Sequence, residues 1–105
     1  MSWQIDNFVG SLPVDGAIAL DDQMHHDGAD AHYFYVGMSD LLVVLNTLNI
    51  RSCYADGNRE VERILDFGCG HGRVTRWLRA AFPEAQISIA DLNDSGIRWC
   101  AERYS

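Results

Sequence analysis

The spacing of hydrophobic and polar residues changes along the chain, and each change marks a different kind of segment. Residues 1–38 show no sustained period, and glycines, a proline and several aspartates interrupt them. Such interruption predicts an irregular N-terminal arm with at most a short helical turn. From Ser39 the apolar residues recur at helical spacing, which predicts a helix over 39–49 with Ser39 as its cap. The apolar stripe of that helix is Leu41, Leu42, Val44, Leu45 and Leu48.

Residues 60–104 carry two short apolar runs, each followed by a helical pattern. A break with a turn signal at Asp56 and Gly57 comes first. The run that ends "EVERILDF" suits a buried parallel strand, and "QISIAD" predicts a second short strand. "NDSGIRWCAERY" predicts a helix after it. The order strand, helix, strand, helix predicts an α/β fold with a parallel βαβ unit.

The helix between the two strands is predicted to be amphipathic. Its apolar residues fall on one face, its arginines lie off that face, and Pro83 follows its end as a stop signal. The apolar face consists of Val74, Trp77, Leu78 and Ala81, and the arginines off it are Arg73, Arg76 and Arg79.

Composition narrows the class of protein. The chain has 105 residues, is 48% hydrophobic and has a formal net charge of −7, which suits one globular domain with a modest core. No stretch approaches the roughly 18 apolar residues of a membrane span, and the N-terminus has no secretory leader pattern. Three cysteines without a CxxC pair predict reduced thiols in a cytoplasmic protein. The acidic balance disfavours a nucleic-acid partner without excluding it.

The stretch "DDQMHHDGADAH", residues 21–32, concentrates histidines and aspartates. Such residues can bind metal ions, but their spacing here matches no compact ligand pattern such as HExxH. We therefore interpret the stretch as a solvated loop and predict no metal site.

The segment "ILDFGCGHGR", residues 64–73, places three glycines directly behind the first strand. Glycines at the carboxyl end of such a strand let the backbone turn sharply and let a ligand approach closely. Asp66 ends this strand and Asp91 ends the second, where an acid can accept hydrogen bonds from ribose hydroxyls. Arginine at position 73 breaks the GxGxxG dinucleotide pattern, and an acid beside the turn suits an ammonium group better than a pyrophosphate. The pattern predicts a nucleoside cradle.

These residues carry a family resemblance. "ILDFGCGHGR" followed by "AQISIADLN" resembles the first two motifs of the class I S-adenosylmethionine-dependent methyltransferases, and the resemblance covers residues 60–104. It implies a Rossmann-like fold with a mostly parallel sheet of seven strands, and S-adenosylmethionine as cofactor. By this resemblance, residues 39–105 are the N-terminal part of such a domain. They would consist of a cap helix at about 39–49 and the first, cofactor-binding βαβα portion of the fold at 60–104.

The same resemblance implies a role for each residue of the motifs. The methionine portion of the cofactor would be held by Asp66, Gly68, Cys69, Gly70 and Gly72. Asp91 would hold the ribose, and Leu92 would lie near the adenine. The segments that normally carry the catalytic groups and the acceptor pocket do not follow, so the chain is expected to be truncated and inactive by itself. No catalytic residue can be assigned, and the oligomeric state stays open.

Two rival functions remain open beside methyl transfer to a small-molecule acceptor. One is an NAD(P)-dependent oxidoreductase, which the arginine at position 73 disfavours. The other is a non-catalytic module that keeps the fold for cofactor binding or protein association.

Several other residues near the motifs have a structural interpretation. His71 is expected to contribute only its backbone, and Cys69 to fill the turn as a small residue. Tyr33 and Tyr35 either close over the cofactor or pack the N-terminal helix, and packing is favoured. The tryptophans, which are most simply buried or partly buried, are Trp3, Trp77 and Trp99.

Overall fold

The structure, a computed structural model, describes residues 3–54 and 61–105. These residues form a small α/β arrangement of four helices and two strands. In chain order the elements are α1 (Trp3–Gly10), α2 (Asp30–Tyr54), β1 (Arg63–Phe67), α3 (Thr75–Ala81), β2 (Gln86–Ala90) and α4 (Asp94–Arg103). The α/β class predicted from the hydrophobic pattern is confirmed. The predicted turn at Asp56 and Gly57 lies outside the described residues.

The two strands pair in parallel, as the order of elements predicts. In the register of the sheet, Ile64 lies opposite Ile87, and Asp66 lies opposite Ile89. Because the strands are parallel, both carboxyl ends open at the same edge of the sheet. The segments that follow the strands, the glycine turn and the loop before α4, therefore meet at that edge.

The long helix α2 begins at Asp30, well before the predicted start at Ser39. Ser39 is not its cap: the Ser39 hydroxyl lies inside the helix and donates to the Tyr35 carbonyl at 2.9 Å. Tyr33 and Leu41 are both fully buried and lie two helical turns apart, so one apolar face already runs through the earlier residues. The first residues of this face are aromatic, so they lack the regular leucine spacing that marks residues 41–48. The N-terminal segment also contains α1, a longer helix than the predicted turn.

The helices pack against one face of the sheet. The core there is formed by Val9 of α1, Leu41 of α2, Trp77, Leu78 and Ala81 of α3, and Ile87 of β2. Gly37 lets α2 approach α3, because a Cβ at this position would lie 2.2 Å from the Arg73 carbonyl oxygen. The packing interpretation of Trp77 and Trp99 is confirmed. Trp77 is buried, and Trp99 is partly buried against the cluster of Cys69, Cys100 and Tyr104. The side chain of Trp3 lies outside the described residues.

The opposite face of the sheet is exposed in the part of the chain that the structure describes. Leu65 is 66% and Phe67 is 86% accessible to solvent, while their strand neighbours on the other face are half-buried. The prediction of a buried β1 is not met on this face, because the described helices cover only the other face. Within residues 3–54 and 61–105, no helix has both the length and the apolar character that crossing a bilayer requires.

Candidate functional site

The turn between β1 and α3 uses three glycines because its backbone is left-handed at three positions. Gly68 has φ of 83°, Gly70 of 53° and Gly72 of 85°. An L-residue with a side chain pays a steric cost of about 1–2 kcal/mol in this region, whereas glycine does not. The spacing of the glycines, one at every second residue, is thus a backbone requirement of this turn.

The three glycines face different surroundings. A Cβ at Gly72 would lie 2.6 Å from the ring of Tyr104, the residue that follows α4, so this position is closed by packing. A Cβ at Gly68 or at Gly70 would meet no atom within 4 Å. Gly72 is therefore required for packing, while Gly68 and Gly70 border open space at the carboxyl edge of the sheet.

The turn does not offer its amide groups as a phosphate-binding nest. Gly68 and Cys69 donate their N–H groups to the Ala90 carbonyl at 2.6 and 3.2 Å. Gly72 donates to the Cys69 carbonyl at 3.0 Å, and Gly70 donates to Oδ2 of Asp91 at 2.8 Å. All four of these donors are satisfied inside the protein. A pyrophosphate needs such donors free and aimed at the ligand.

Asp91 follows β2 and holds the turn through its carboxylate. Its Oδ1 accepts from the Asn93 N–H and its Oδ2 from the Gly70 N–H, both at 2.8 Å. These hydrogen bonds, the one from Asn93 first and the one from Gly70 next, lower the pKa of Asp91 below its ordinary value. A carboxylate oxygen has two lone pairs, so each oxygen keeps one acceptor site beyond these bonds. Asp91 can therefore position the turn and still accept from a ligand hydroxyl.

The other predicted acid and the predicted adenine neighbour lie at the same sheet edge. Asp66 accepts from the hydroxyl of the fully buried Thr75 at 2.6 Å, which ties β1 to the start of α3. Asp66 thus contacts the first residue of α3, directly after the turn, and Asp91 contacts Gly70 within it, so both carboxylates lie beside the turn. Leu92, the residue after Asp91, is fully exposed. The structure thus brings together the predicted site residues; their ligand roles stay predictions.

The two described cysteines are buried free thiols. Burial raises the pKa of Cys69, and burial together with the neighbouring Cys69 raises the pKa of Cys100 to about 12. A protonated thiol is a poor nucleophile. The buried side chain of Cys69 agrees with its prediction as a small residue that fills the turn. The side chain of Cys53 lies outside the described residues.

His71 differs from its prediction. Its side chain is buried rather than free, and its Nε2 lies 3.2 Å from Oγ of Ser95 and 3.3 Å from Oδ1 of Asp21. The residue therefore connects the glycine turn to α4 and to the segment before α2 through its side chain.

Residues 11–29 connect α1 to α2 and are called the strap here. The sequence pattern predicts a solvated loop over residues 21–32, and this prediction is wrong for Asp22. That carboxylate is 7% exposed and accepts from the Tyr33 hydroxyl at 2.5 Å. Tyr33 is buried as the packing interpretation requires, and burial raises its pKa; Tyr35, in contrast, is 62% exposed. Among the residues that the structure describes, no three His, Cys, Asp or Glu side chains are arranged to bind a metal ion.

Arg76 is the residue whose environment differs most from the one that the sequence pattern predicts. Its position off the apolar stripe predicts exposure, yet the side chain is 1% exposed. Its guanidinium donates to two strap carbonyls, Asp15 at 3.0 Å and Ala17 at 2.6 Å. It also bonds two carbonyls of the glycine turn and one hydroxyl: Gly72 at 2.8 Å, His71 at 3.4 Å and Tyr33 at 3.1 Å. Arg76 thus joins the strap, α2 and the turn.

A groove of about 560 Å³ lies away from this edge, between the strap and the C-terminal ends of α3 and α4. Its cationic groups are already engaged. Arg103 pairs with Asp15 at 2.7 Å, and Arg79 donates to the carbonyls of Tyr104 and Ala85 at 2.7 and 2.8 Å. None of the predicted site residues lines it. We therefore place the candidate site at the glycine turn and not in this groove.

Comparison with known proteins finds a partial similarity. The chain is similar to a fatty-acid O-methyltransferase from Mycolicibacterium smegmatis (strain ATCC 700084 / mc(2)155), with 37% identity over 54 residues. The similar segment covers 51% of this chain and spans 20% of the length of that relative. No protein-family model matches the chain, and no solved structure matches it.

Proposed function

We propose that this chain carries the S-adenosylmethionine-binding part of a class I methyltransferase with a Rossmann-like fold. The observation that carries the proposal is the left-handed turn at Gly68 and Gly70, which is open on its outer side and has Asp66 and Asp91 beside it. The partial similarity to a methyltransferase supports the same class of activity.

The chemistry of the edge favours a cationic nucleoside over a dinucleotide. Two carboxylates lie beside the turn, and the amides of Gly68, Cys69, Gly70 and Gly72 are already bonded within the protein. A pyrophosphate would meet negative charge without free donors at these positions. S-adenosylmethionine carries an ammonium and a sulfonium group, which negative charge attracts, and ribose hydroxyls, which a carboxylate accepts. The residues present therefore fit this cofactor.

Each residue of the edge has a proposed role in holding the cofactor. Asp91 would accept hydrogen bonds from the ribose hydroxyls, and Asp66 would face the ammonium end. Gly68 and Gly70 would let the backbone lie against the ligand, and Leu92 would cover part of the adenine. When bound, S-adenosylmethionine supplies an activated methyl group for in-line transfer. What this part of the chain would add to the reaction is positioning of the donor.

We propose a small molecule as the methyl acceptor. We propose the cytoplasm as the location of the protein. The relative acts on fatty acids according to its name, so a fatty carboxylate is the first acceptor to test in the full-length protein. We assign no described residue as a catalytic base.

Calorimetry of the full-length protein with S-adenosylmethionine, S-adenosylhomocysteine and NAD tests the proposal. We expect both adenosyl ligands to bind and NAD to bind far more weakly. Gly70→Ala should weaken binding more than it lowers the free energy of unfolding, because its Cβ would point into the open space that the ligand fills. Gly72→Ala is the matched control: it should chiefly destabilise the fold, because its Cβ would collide with Tyr104.

Asp91→Ala should weaken binding of S-adenosylhomocysteine at least about tenfold, because charge-assisted hydrogen bonds to the ribose are lost. Tighter binding of NAD than of S-adenosylhomocysteine would refute the proposal. Equal affinity of the wild type and the Asp91 variant would place the ribose elsewhere.

A further inference from the structure

A cluster of three side chains joins the strap to the glycine turn from the outside. His71 lies within the turn, Asp21 in the strap and Ser95 in the first turn of α4. Nε2 of His71 is 3.3 Å from Oδ1 of Asp21 and 3.2 Å from Oγ of Ser95. The Ser95 hydroxyl in turn donates to Oδ2 of Asp21. Three segments that are distant in the chain are thus bonded at one point beside the candidate site.

The hydrogen bonds of the cluster are consistent with one placement of the protons. The Ser95 hydroxyl donates to Asp21, so the Ser95 oxygen is left to accept, and a carboxylate only accepts. The tautomer of His71 with its proton on Nε2 matches these two acceptors. The cluster is not a hydrolytic triad, because there the histidine bridges acid and nucleophile through its two different nitrogens. Here both partners contact the same nitrogen.

We propose that His71 is a positioning residue for cofactor binding, which holds the turn in its ligand-ready geometry by bonding to the strap and to α4. The inference rests on the proposed function. His71 stands between Gly70 and Gly72, two residues whose backbone is left-handed. A glycine backbone has wide conformational freedom, so the side chain between them restrains this part of the turn. The His71 side chain is 2% exposed, which leaves the imidazole little room to move.

The expected size of the effect follows from exposure. The Asp21 side chain is 62% exposed, so water competes for the bond from outside. Loss of the cluster should therefore weaken cofactor binding by about tenfold rather than abolish it. Packing and hydrogen bonding can be separated, because His71→Leu keeps a side chain of comparable bulk without a donor. His71→Gln keeps an N–H donor on a chain of similar reach.

The experiment measures the affinity of the full-length protein for S-adenosylhomocysteine. We expect about tenfold weaker binding for His71→Leu and for Asp21→Ala, with recovery in His71→Gln. The double variant His71→Leu with Asp21→Ala should be no weaker than His71→Leu alone, because that substitution already removes both bonds of the imidazole. Asp27→Ala is the matched control: it removes an exposed acid of the strap outside the cluster and should bind as the wild type does.

A second measurement does not depend on the ligand. Amide hydrogen exchange within residues 68–72 of the ligand-free protein should be faster in His71→Leu and Asp21→Ala, and unchanged in Asp27→Ala. Wild-type affinity and exchange in His71→Leu would overturn the inference. If the wild type fails to bind S-adenosylhomocysteine, the proposed function fails, while faster exchange in the two variants would still support the positioning of the turn by His71.

Discussion

Two regions of this molecule obtain their structure in different ways. In residues 61–105, the hydrophobic period marks each strand and helix, and the glycine turn lies where the sequence places it. In the strap, no period exists, and the backbone is held by side chains from elsewhere in the chain. A segment without a hydrophobic period is therefore not necessarily solvated. Its order can come from donors that lie some sixty residues away, as with Arg76 and the strap carbonyls.

Arg76 shows why the second region depends on the first. Carbonyl groups of an irregular segment have no ladder of partners, so buried ones need a donor from another element. The guanidinium provides several N–H groups in one plane and satisfies the carbonyls of Asp15 and Ala17 together. It also lies against the rings of Tyr33, Phe34 and Tyr104, at 5.1 to 5.6 Å from their centroids. Aromatic faces of this kind stabilise a cation that has lost its water.

The largest expected effect comes from breaking the connection between the two regions. Arg76→Met keeps an unbranched apolar stem but removes every donor, and it leaves several buried acceptors unsatisfied. We expect the free energy of unfolding to fall by roughly 3 kcal/mol or more. Urea denaturation measures it. Arg98→Met, at an exposed position of α4, is the control and should change stability by less than about 0.5 kcal/mol. Equal losses in the two variants would mean that Arg76 does not hold the strap.

A smaller effect is expected where the strap meets α2. Tyr33→Phe removes the hydroxyl that donates to the buried Asp22 and accepts from Arg76. Leaving a buried carboxylate with one partner fewer should cost about 1–3 kcal/mol. Tyr35→Phe makes the same chemical change on an exposed side chain of the same helix, so thermal unfolding of the two variants can be compared directly. If both variants have the same melting temperature, the contact between Tyr33 and Asp22 contributes nothing to stability.

The smallest expected effect concerns the pH dependence of stability, through the partly exposed ion pair of Asp15 and Arg103. The hydrogen bond from Arg103 lowers the pKa of Asp15, and the Tyr104 hydroxyl acts in the same direction. Because the folded pKa lies below the unfolded one, Asp15 stabilises the fold above its ordinary pKa, and this contribution is lost as the pH falls below that value. Its size is about 1 kcal/mol or less, because the pair is partly exposed to solvent.

Melting temperatures between pH 7 and pH 3 test this expectation. Asp15→Asn should lose part of the acid sensitivity of the wild type, whereas Asp27→Asn should follow the wild-type curve. A wild-type pH dependence in the Asp15 variant would assign the acid sensitivity to other carboxylates.

Sequence alone determined the features that depend on neighbours in the chain. The order of strands and helices after residue 60 follows from hydrophobic period, and period reports which side of an element faces a core. The left-handed turn follows from the glycines at 68, 70 and 72, because backbone sterics are local. The position of Asp66 and Asp91 at one sheet edge follows from the parallel order of two strands.

Which polar residues are buried, and which groups they bond, depends on contacts between distant segments of the chain. Nothing near Arg76, His71 or Asp22 in the sequence distinguishes them from exposed charges of the same type. Their partners come from the strap, α2 and α4, and the early start of α2 at Asp30 depends on packing as well. The physical reason is that a buried polar group is stable only when distant segments bring it hydrogen-bond partners, and the chain records such partners at no fixed spacing.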